Sequence, residues 1–329
     1  MALLLLDRAH LEIKAEGQAL ALYEAGERRG TFPVKLVDRC VIHGMQTRLD
    51  TGVLLKLAEA GASVVLMSPR QIRRVAILLG PAHNDAGIKL AQSRWVLDDD
   101  RCREWSTAIV RAKLSRQLRC LRHWSDQRPD ARKPLWDAMH TVQASLQQLP
   151  QKSPYPALSS LRGIEGAAAR AHFAGLAAVL PPSLGFSGRN RRPPRDPVNA
   201  CLSLAYTLLH VQAIQACHGA GLDPLLGFYH RPAIGRESLA SDLIEPLRVA
   251  VDHWIWDMLR QRILRSEDFT LDKGACLLGK TGRSTFYAQW ERAHHGWKRW
   301  LRRHAQALAR ELRQEGNTWL MRDEADEWP

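Results

Sequence analysis

The chain has 329 residues, 45% of them hydrophobic, so it can bury a sizeable core, and its length is close to that at which single cores give way to two domains. Its 47 lysines and arginines outnumber its 34 aspartates and glutamates and leave a formal net charge of +13, which in a folded protein favours a polyanionic partner. Nucleic acid is the first candidate, and an anionic membrane surface is the rival, although no apolar run approaches the roughly 18 residues that would span a bilayer.

The start of the chain and its cysteines bear on the cellular compartment. Residues Met1–Asp7 include no basic segment, and their apolar run is too short for a secretory signal. The six cysteines are scattered without CxxC pairs, and a chain of this length does not need disulfides to be stable. We therefore expect a cytoplasmic protein with reduced cysteines, no zinc site and no membrane attachment.

Residues 1 to about 80 are predicted to be rich in short strands, separated by turns that carry glycine or charged residues. One helix is expected among them, beginning near Asp50 or Thr51 as the N-cap and ending at Gly61. The predicted strands are Ala2–Leu6, Leu11–Lys14, Ala19–Tyr23, Val34–His43, Ser63–Met67 and Val75–Leu79.

From about Ala86 onward the apolar residues recur at helical spacing over long stretches. Asp196 and Pro197 form an N-cap followed by proline at the first helical position, Gly219 closes that helix, and Ser284 can cap the last one. Helices are predicted at roughly 100–124, 134–149, 158–180, 197–218, 238–265 and 284–313.

The strand-rich segment and the helical segment together predict an α+β protein with two domains. Residues 1–80 are expected to form a small β-rich domain, residues 81–99 a linker, and residues 100–329 a larger all-α domain.

The first candidate for chemistry is Glu165, which lies among very small residues in the segment Gly163-Ile164-Glu165-Gly166-Ala167. An ionised carboxylate in such a poorly solvated place needs a cation, either an arginine of the chain or a metal ion. Taken alone, the segment favours the simpler alternative, in which Glu165 pairs with an arginine one turn away, Arg162 or Arg170.

The second candidate combines His230, at the end of a loop, with Asp242 and Glu245. These two carboxylates are three residues apart, so on a helix they share one face and repel each other unless a cation lies nearby. A lone acidic pair is usually a solvated face, and a lone loop histidine is usually not a ligand. Together with Glu165, however, the set supplies one imidazole and several carboxylates, which suits Mg²⁺ or Mn²⁺.

A third feature is the segment Gly274–Thr281, which matches the phosphate-loop pattern GxxxxGK[ST]. A phosphate loop needs a buried strand before it, a helix that begins at the lysine, and a parallel sheet built by later units. We expect Gly282 to break such a helix, and only a short stretch of chain follows Thr281. Nucleotide hydrolysis is therefore retained as a minor alternative.

Basic residues are concentrated in three places: the stretch 101–133, the loop before Asp196, and the last long helix. Arginine forks near tryptophan rings suit phosphate contacts and base stacking, although the tryptophans of the last helix are better explained as its core side. The residues in the loop and the last helix that we predict to contact nucleic acid are Arg189, Arg191, Arg192, Arg195, Arg299, Arg302 and Arg303.

With these residues in hand, the sequence resembles the CRISPR-associated protein 1 family, the metal-dependent integrases of spacer acquisition. The resemblance covers most of the chain and consists of several motifs in family order: the Gly-Ile-Glu-Gly-Ala core at Glu165, the arginine- and proline-rich segment 189–199, the loop that ends at His230, and the Asp-Leu-Ile-Glu helix from Asp242 to Glu245. Each motif is weak alone, and together they are specific.

The resemblance implies a function and a set of site residues. The family's metal ligands fall on Glu165, His230 and Glu245, with Asp242 as an acidic member of the catalytic site, and Mg²⁺ or Mn²⁺ as the cofactor. The implied activity is endonuclease and integrase chemistry, in which a 3′-OH of a short DNA fragment attacks a phosphodiester of the CRISPR repeat.

The resemblance also implies partners. These are double-stranded DNA as donor and target, a second copy of the chain bound through the β-rich domain, and the small CRISPR-associated protein 2. A reverse transcriptase subunit is a further candidate partner. A non-catalytic nucleic-acid-binding module is the alternative to the enzyme, and charge alone does not distinguish DNA from RNA.

Overall fold

The structure, a computed structural model, describes residues 2–7, 10–43, 46–67, 74–80, 83, 85–190 and 193–326. The chain divides into two compact units, one of residues 1–83 with 287–292 and the other of residues 84–286 with 293–329. The N-terminal region is β-rich and the rest is mostly helical, so the predicted α+β class is confirmed.

The described residues of the N-terminal region form two four-stranded sheets and one α-helix. One sheet has the strand order β1-β5-β7-β8, in which β1, β5 and β7 are parallel and β8 pairs antiparallel with β7. The other has the order β4-β3-β2-β6 and is antiparallel except for the short β6. The elements are β1 (Ala2–Leu6), β2 (Leu11–Glu16), β3 (Ala19–Glu24), β4 (Glu27–Pro33), β5 (Val37–Ile42), β6 (Arg48–Leu49), α1 (Thr51–Glu59), β7 (Ser63–Met67) and β8 (Arg74–Leu78).

Alternation along the strands builds the core of this region. Ile13 and Leu20 are fully buried, and α1 adds Val53 and Leu57 to the same cluster. The chain leaves α1 through Gly61, whose φ of +72° favours a residue without a side chain. Apolar residues at alternate positions of the strands therefore supply this cluster.

Two predictions for this region were incomplete. Strand β4 was missed because three of its seven residues are charged and nearly all are exposed, as expected at the edge of a sheet, so it shows no alternating apolar pattern. The strand predicted at Val34–His43 begins later, because Val34–Leu36 form a 3-10 turn.

Five of the six helices predicted in the rest of the chain are found, with ends that shift by a few residues. The antiparallel strands β9 and β10 form a hairpin, so this part is nearly all-α. The elements are α2 (Ala86–Leu97), α3 (Asp99–Gln127), α4 (Arg132–Gln147), α5 (Leu158–Val179), α6 (Pro197–Gly219), α7 (Ser238–Arg260), β9 (Phe269–Asp272), β10 (Ala275–Leu278), α8 (Lys280–Ala293) and α9 (His295–Asp326).

Most of the segment predicted as a linker, residues 81–99, is instead helix α2. Asp85 caps this helix, and Trp95 donates a hydrogen bond of 2.7 Å to Glu315 of α9. Glycines allow the two helices to approach closely, because a Cβ on Gly316 would lie 2.2 Å from the carbonyl oxygen of Gly87. Contacts with a distant helix, which local sequence does not reveal, make this segment part of the helical unit.

The C-terminal helix also differs from the prediction. In place of one helix from Ser284, α8 begins at Lys280, runs through Gly282 without a break, and is followed by α9. The GxxxxGK[ST] match lies on the hairpin: Gly274 forms its turn, with a φ of +78°, and Ala275–Leu278 are strand β10 paired with β9. A strand in an antiparallel hairpin cannot form the loop around a phosphate, so this match carries no nucleotide site.

The apolar helix α6 is the centre of the helical unit. By length and composition it could cross a membrane, but 72% of the relevant stretch is buried inside the protein. Its N-cap is the predicted one, because the Asp196 side chain accepts a hydrogen bond of 2.8 Å from the backbone N–H of Asn199. Burial within the protein is the pattern of a core helix.

Two glycines of α5 should respond in opposite ways to a methyl group. A Cβ on Gly175 would lie 2.5 Å from Cδ2 of the fully buried Leu121, whereas a Cβ on Gly163 meets nothing within 4 Å. We expect Gly175→Ala to lower the free energy of unfolding by about 1–3 kcal/mol. Gly163→Ala should raise it by about 0.5–1 kcal/mol, through helix propensity. Thermal unfolding of both variants measures this, and equal shifts of the same sign would contradict it.

Candidate active site

Glu165, the first predicted ligand, projects from the middle of α5 with 19% of its side chain exposed. Glu245 projects from α7 and is more deeply buried, with 8% of its side chain exposed. Both carboxylates face helix α3, which packs against α5 and α7. The fold therefore brings together two acidic residues that are 80 positions apart in the sequence.

Lys113 of α3 lies between these two carboxylates. Its Nζ is 2.5 Å from Oε1 of Glu165 and 2.5 Å from Oε2 of Glu245. Lys113 belongs to the basic stretch 101–133, but the structure buries it. The helical spacing of the sequence could have indicated this burial, because Lys113 shares its helix face with Val110 and Gln117, three and four residues away, which are also buried.

Two cations set the charge state of Glu245. Burial alone would raise the pKa of its carboxyl group, but Arg248 and Lys113 outweigh burial and hold that pKa well below its usual range. Arg248 Nε donates a hydrogen bond of 2.8 Å to Oε1 of Glu245. The same pair of carboxylates raises the pKa of Lys113 despite its burial. Glu245 and Lys113 are therefore both ionised at neutral pH.

Asp242, one turn before Glu245, is fully buried and organises the preceding loop. Its Oδ2 accepts hydrogen bonds from the backbone N–H groups of Phe228 and Tyr229, at 2.8 and 3.0 Å, and its Oδ1 accepts one from the backbone of His230 at 2.9 Å. The loop lies tightly against α7, since a Cβ on Gly227 would be 2.6 Å from the backbone carbonyl carbon of Ser238. Asp242 is thus a positioning residue rather than an exposed ligand.

Asp242 also fixes the imidazole of His230. Nδ1 of His230 lies 2.6 Å from Oδ1 of Asp242, and an ionised carboxylate can only accept a hydrogen bond, so Nδ1 carries the proton. Burial raises the pKa of Asp242, and the hydrogen bond from His230 opposes that shift. In the neutral imidazole this leaves the lone pair on Nε2, which is the form in which histidine binds a metal ion.

A second buried network supports Arg248. Its guanidinium lies over the ring of Tyr206, with Cζ 4.7 Å from the ring centroid. The Tyr206 hydroxyl donates to Asp252, whose other oxygen is 3.0 Å from Nε2 of the fully buried His172. Sequence reasoning missed Arg248 and this network, because its members come from three helices and no short motif links them.

The end of the loop is held from outside as well. Arg231, directly after His230, donates hydrogen bonds to the carbonyl oxygen of Val96 and to Asp99. The Ser238 hydroxyl donates a hydrogen bond of 3.1 Å to the carbonyl oxygen of Arg231. These contacts fix the backbone on the far side of His230.

The chemistry of Glu165, His230 and Glu245 fits a hard divalent cation, since two carboxylates and one imidazole are suitable ligands for Mg²⁺ or Mn²⁺. As the side chains are placed, however, the described part of the chain has no group of three or more His, Cys, Asp or Glu residues that could hold a metal ion. The ammonium of Lys113 stands where an ion would have to contact both carboxylates. The ligand types are present, and a protein cation occupies the space between two of them.

A basic groove lies one helical turn from Lys113, between α3 and α7. It has a volume of about 300 Å³, and its lining includes Arg116, Arg119, His123 and His253. Arg116 also lies over the ring of Trp300 on α9, with Cζ 4.9 Å from the ring centroid. The groove therefore continues the candidate site towards the basic last helix.

The arginines predicted to bind nucleic acid have different surroundings. Arg189 is half-buried and contacts other residues of the chain. Its guanidinium donates hydrogen bonds of 2.8 Å to Asn199 and 3.1 Å to Ser203. Arg191 and Arg192 lie outside the described residues. Four candidates remain exposed: Arg195, Arg299, Arg302 and Arg303.

Replacing Asp242 tests its role in the loop. In the present protein, both oxygens of Asp242 accept hydrogen bonds from backbone N–H groups. An asparagine has only one acceptor oxygen, so its NH₂ group would face an N–H donor that is left without an acceptor. We therefore expect Asp242→Asn to lower the free energy of unfolding by about 2–4 kcal/mol. Asp257→Asn, at the exposed end of α7, is the control and should change it by less than about 1 kcal/mol. Thermal unfolding measures both. Equal stability of the two variants would contradict this role.

The family profile described as CRISPR associated protein Cas1 matches residues 4–292. A protein named CRISPR-associated endonuclease Cas1 1 from Thermodesulfovibrio yellowstonii is 33% identical over 319 residues, which cover 96% of this chain and 98% of that protein. CRISPR-associated endonuclease Cas1 2 from Rhodospirillum rubrum is 33% identical over 289 residues, covering 85% of this chain and 82% of the relative.

Solved structures share the fold. A CAS1 protein from Thermotoga maritima superposes with a TM-score of 0.79 at 19% identity, covering 95% of this chain and 97% of that one. A casposase bound to an integration product superposes with a TM-score of 0.82 at 22% identity, covering 96% of this chain and 91% of the other. The profile match and the identity to full-length relatives show that this chain belongs to the CRISPR-associated protein 1 family.

Proposed function

We propose that this protein is a divalent-metal-dependent DNA endonuclease and integrase that joins 3′-OH ends of short DNA fragments into a CRISPR array by transesterification. The observation that carries the proposal is the convergence of the buried carboxylates of Glu165 and Glu245 in a chain whose relatives are named endonucleases. The loop histidine His230, whose Nδ1 is held by Asp242, supports the same assignment.

The cofactor we propose is Mg²⁺ or Mn²⁺, held by Glu165, His230 and Glu245. Such an ion, when bound, offsets negative charge on the phosphate and lowers the pKa of an attacking hydroxyl. The chain's own residues prepare the site: Asp242 orients the imidazole of His230, and Arg248 holds one oxygen of Glu245. Pre-positioned ligands reduce the reorganisation that the reaction requires.

The reaction exchanges one phosphodiester for another. The oxygen of a donor 3′-OH forms a bond to the phosphorus of the target strand, the bond from that phosphorus to the target's own 3′ oxygen breaks, and the proton of the attacking hydroxyl ends on the leaving oxygen or in solvent. No ATP is needed, because the number of phosphodiesters does not change. Water in place of the donor hydroxyl would give simple nicking.

The partners we propose are double-stranded DNA, a second copy of the chain, and CRISPR-associated protein 2. The net charge of +13 and the basic groove beside Lys113 support DNA as substrate. A structural neighbour described as a Cas6-RT-Cas1–Cas2 complex, with a TM-score of 0.74, supports assembly with the small protein and leaves a reverse transcriptase subunit as a further candidate. Six buried cysteines without disulfides support a reducing, cytoplasmic location.

Integration of a short duplex with free 3′-OH ends into supercoiled plasmid tests the proposed activity. We expect joined product with Mn²⁺ or Mg²⁺ and none with EDTA. His230→Ala and Glu165→Ala should reduce the rate by roughly three orders of magnitude, since metal stabilisation of the transition state is worth several kcal/mol. Glu104→Ala, at an exposed acidic residue, is the matched control and should retain activity.

The outcome also separates the rival functions. DNA binding by both site variants should stay close to that of the original protein, because the arginines remain in place. If the Glu165→Ala variant still joined DNA ends, the assignment of the active site would be wrong. Normal DNA binding without joining, even with CRISPR-associated protein 2 present, would favour the non-catalytic module.

Arg302 and Arg303 are exposed on α9, so their replacement tests whether DNA binds along this helix. We expect their joint replacement by alanine to weaken DNA binding and to reduce the slope of log K against log salt by about 0.9 for each phosphate that is no longer neutralised. Arg260→Ala, at an exposed arginine paired with Asp257, is the control and should leave the slope unchanged. An unchanged slope in the double variant would exclude this face of α9 from the DNA path.

A further inference from the structure

Lys113 is a buried cation at the centre of the candidate active site, with its ammonium between Glu165 and Glu245. We infer that Lys113 is the resident counter-ion of the metal-free site, and that a divalent ion binds by displacing its ammonium from at least one of the two carboxylates. The inference rests on the proposed function, because it takes Glu165 and Glu245 as metal ligands. It assigns Lys113 as a positioning residue that sets both the stability and the metal affinity of the site.

The structure commits Lys113 to this place. Only 7% of the residue is exposed, and it shares the inner face of α3 with Val110 and Gln117, which are almost completely buried. A buried ammonium is strongly unfavourable unless it is paired, and the same is true of two carboxylates placed side by side. Lys113 satisfies both requirements with two contacts of 2.5 Å.

The oxygen atoms of Glu245 are already in use. Oε1 accepts a hydrogen bond from Arg248 and Oε2 one from Lys113, while Oε1 of Glu165 accepts the other bond from Lys113. A Mg²⁺ ion binds its oxygen ligands at about 2.0–2.1 Å. An ion bridging the two carboxylates would therefore take the space of the ammonium, and the two positive charges would repel each other.

Lys113 has the more flexible side chain of the two cations. A lysine ammonium stands on a flexible chain of four carbons, whereas an arginine presents a rigid planar fork. Arg248 is further restrained, because its guanidinium stacks on Tyr206 at 4.7 Å while bonding Glu245. Withdrawal of Lys113 is thus the natural response to an incoming ion, and Arg248 keeps Glu245 in place meanwhile.

Two consequences follow that a purely structural lysine would not produce. Without metal, Lys113 keeps the carboxylates convergent and stabilises the protein. With metal, Lys113 acts as a competitor, so its removal should increase affinity for the ion while decreasing the stability of the metal-free protein. A structural lysine would lower stability and leave affinity unchanged or reduced.

Calorimetric titration of Mn²⁺ into the full chain tests the inference, with thermal unfolding in EDTA as the second measurement. We expect Lys113→Met to bind Mn²⁺ at least about tenfold more tightly than the original protein and to unfold at a lower temperature in EDTA. Lys113→Gln, which can still donate hydrogen bonds, is the second neutral variant should the methionine protein not fold, and should show the same gain. Lys113→Arg keeps a cation and should restore weaker binding.

Lys133→Met is the matched control, because Lys133 is 77% exposed and pairs only with Asp137 among its described ion-pair partners. It should change neither Mn²⁺ affinity nor stability in EDTA. Neutral variants that bind Mn²⁺ no more tightly than the original protein overturn the inference alone. If neither the original protein nor the neutral variants bind Mn²⁺, the metal site itself is absent, and the inference falls together with the proposed function.

Discussion

The burial of two carboxylates side by side, Glu165 on α5 and Glu245 on α7, is the interaction on which the arrangement of the helical unit depends. Two ionised acids in a poorly solvated place repel each other and require positive charge. The fold supplies it from two directions, with Lys113 from α3 between the carboxylates and Arg248 from the same helix as Glu245. The three helices therefore meet around an electrostatic centre as well as an apolar one.

The surroundings of that centre are built to hold side chains still. Asp242 gathers three backbone N–H groups and the imidazole of His230, which converts a flexible loop into a fixed one. On the opposite side, Tyr206 and Asp252 hold Arg248 through a buried network that reaches His172. Rigidity of this kind suits the proposed metal site, since misplacement by about 1 Å is sufficient to weaken a metal or catalytic site.

The charge of the chain has two separate roles. Lys113, Arg189 and Arg248 are turned inward and bond to the protein itself, whereas Arg299, Arg302 and Arg303 stay exposed on α9. Net charge alone therefore overstates the surface available to a nucleic acid. The exposed arginines and the groove beside α3 form the smaller surface on which phosphate contacts are expected.

Sequence by itself determined the fold class, most of the helices and the identity of Glu165, His230, Asp242 and Glu245 as the residues to examine. Periodicity, capping residues and ordered motifs are local properties, so they can be read without knowing which elements touch. The edge strand β4, the helix α2 and the division of the last helix were missed, because an exposed edge and a distant packing partner leave little local signal.

Only the tertiary structure decided what each site residue does. Spacing alone presented Asp242 and Glu245 as two acids three positions apart, yet Asp242 accepts hydrogen bonds from a loop and Glu245 faces Lys113 across helices. Lys113 lies 52 residues from one partner and 132 from the other. Interactions over such separations depend on helix packing, which no short pattern in the sequence encodes.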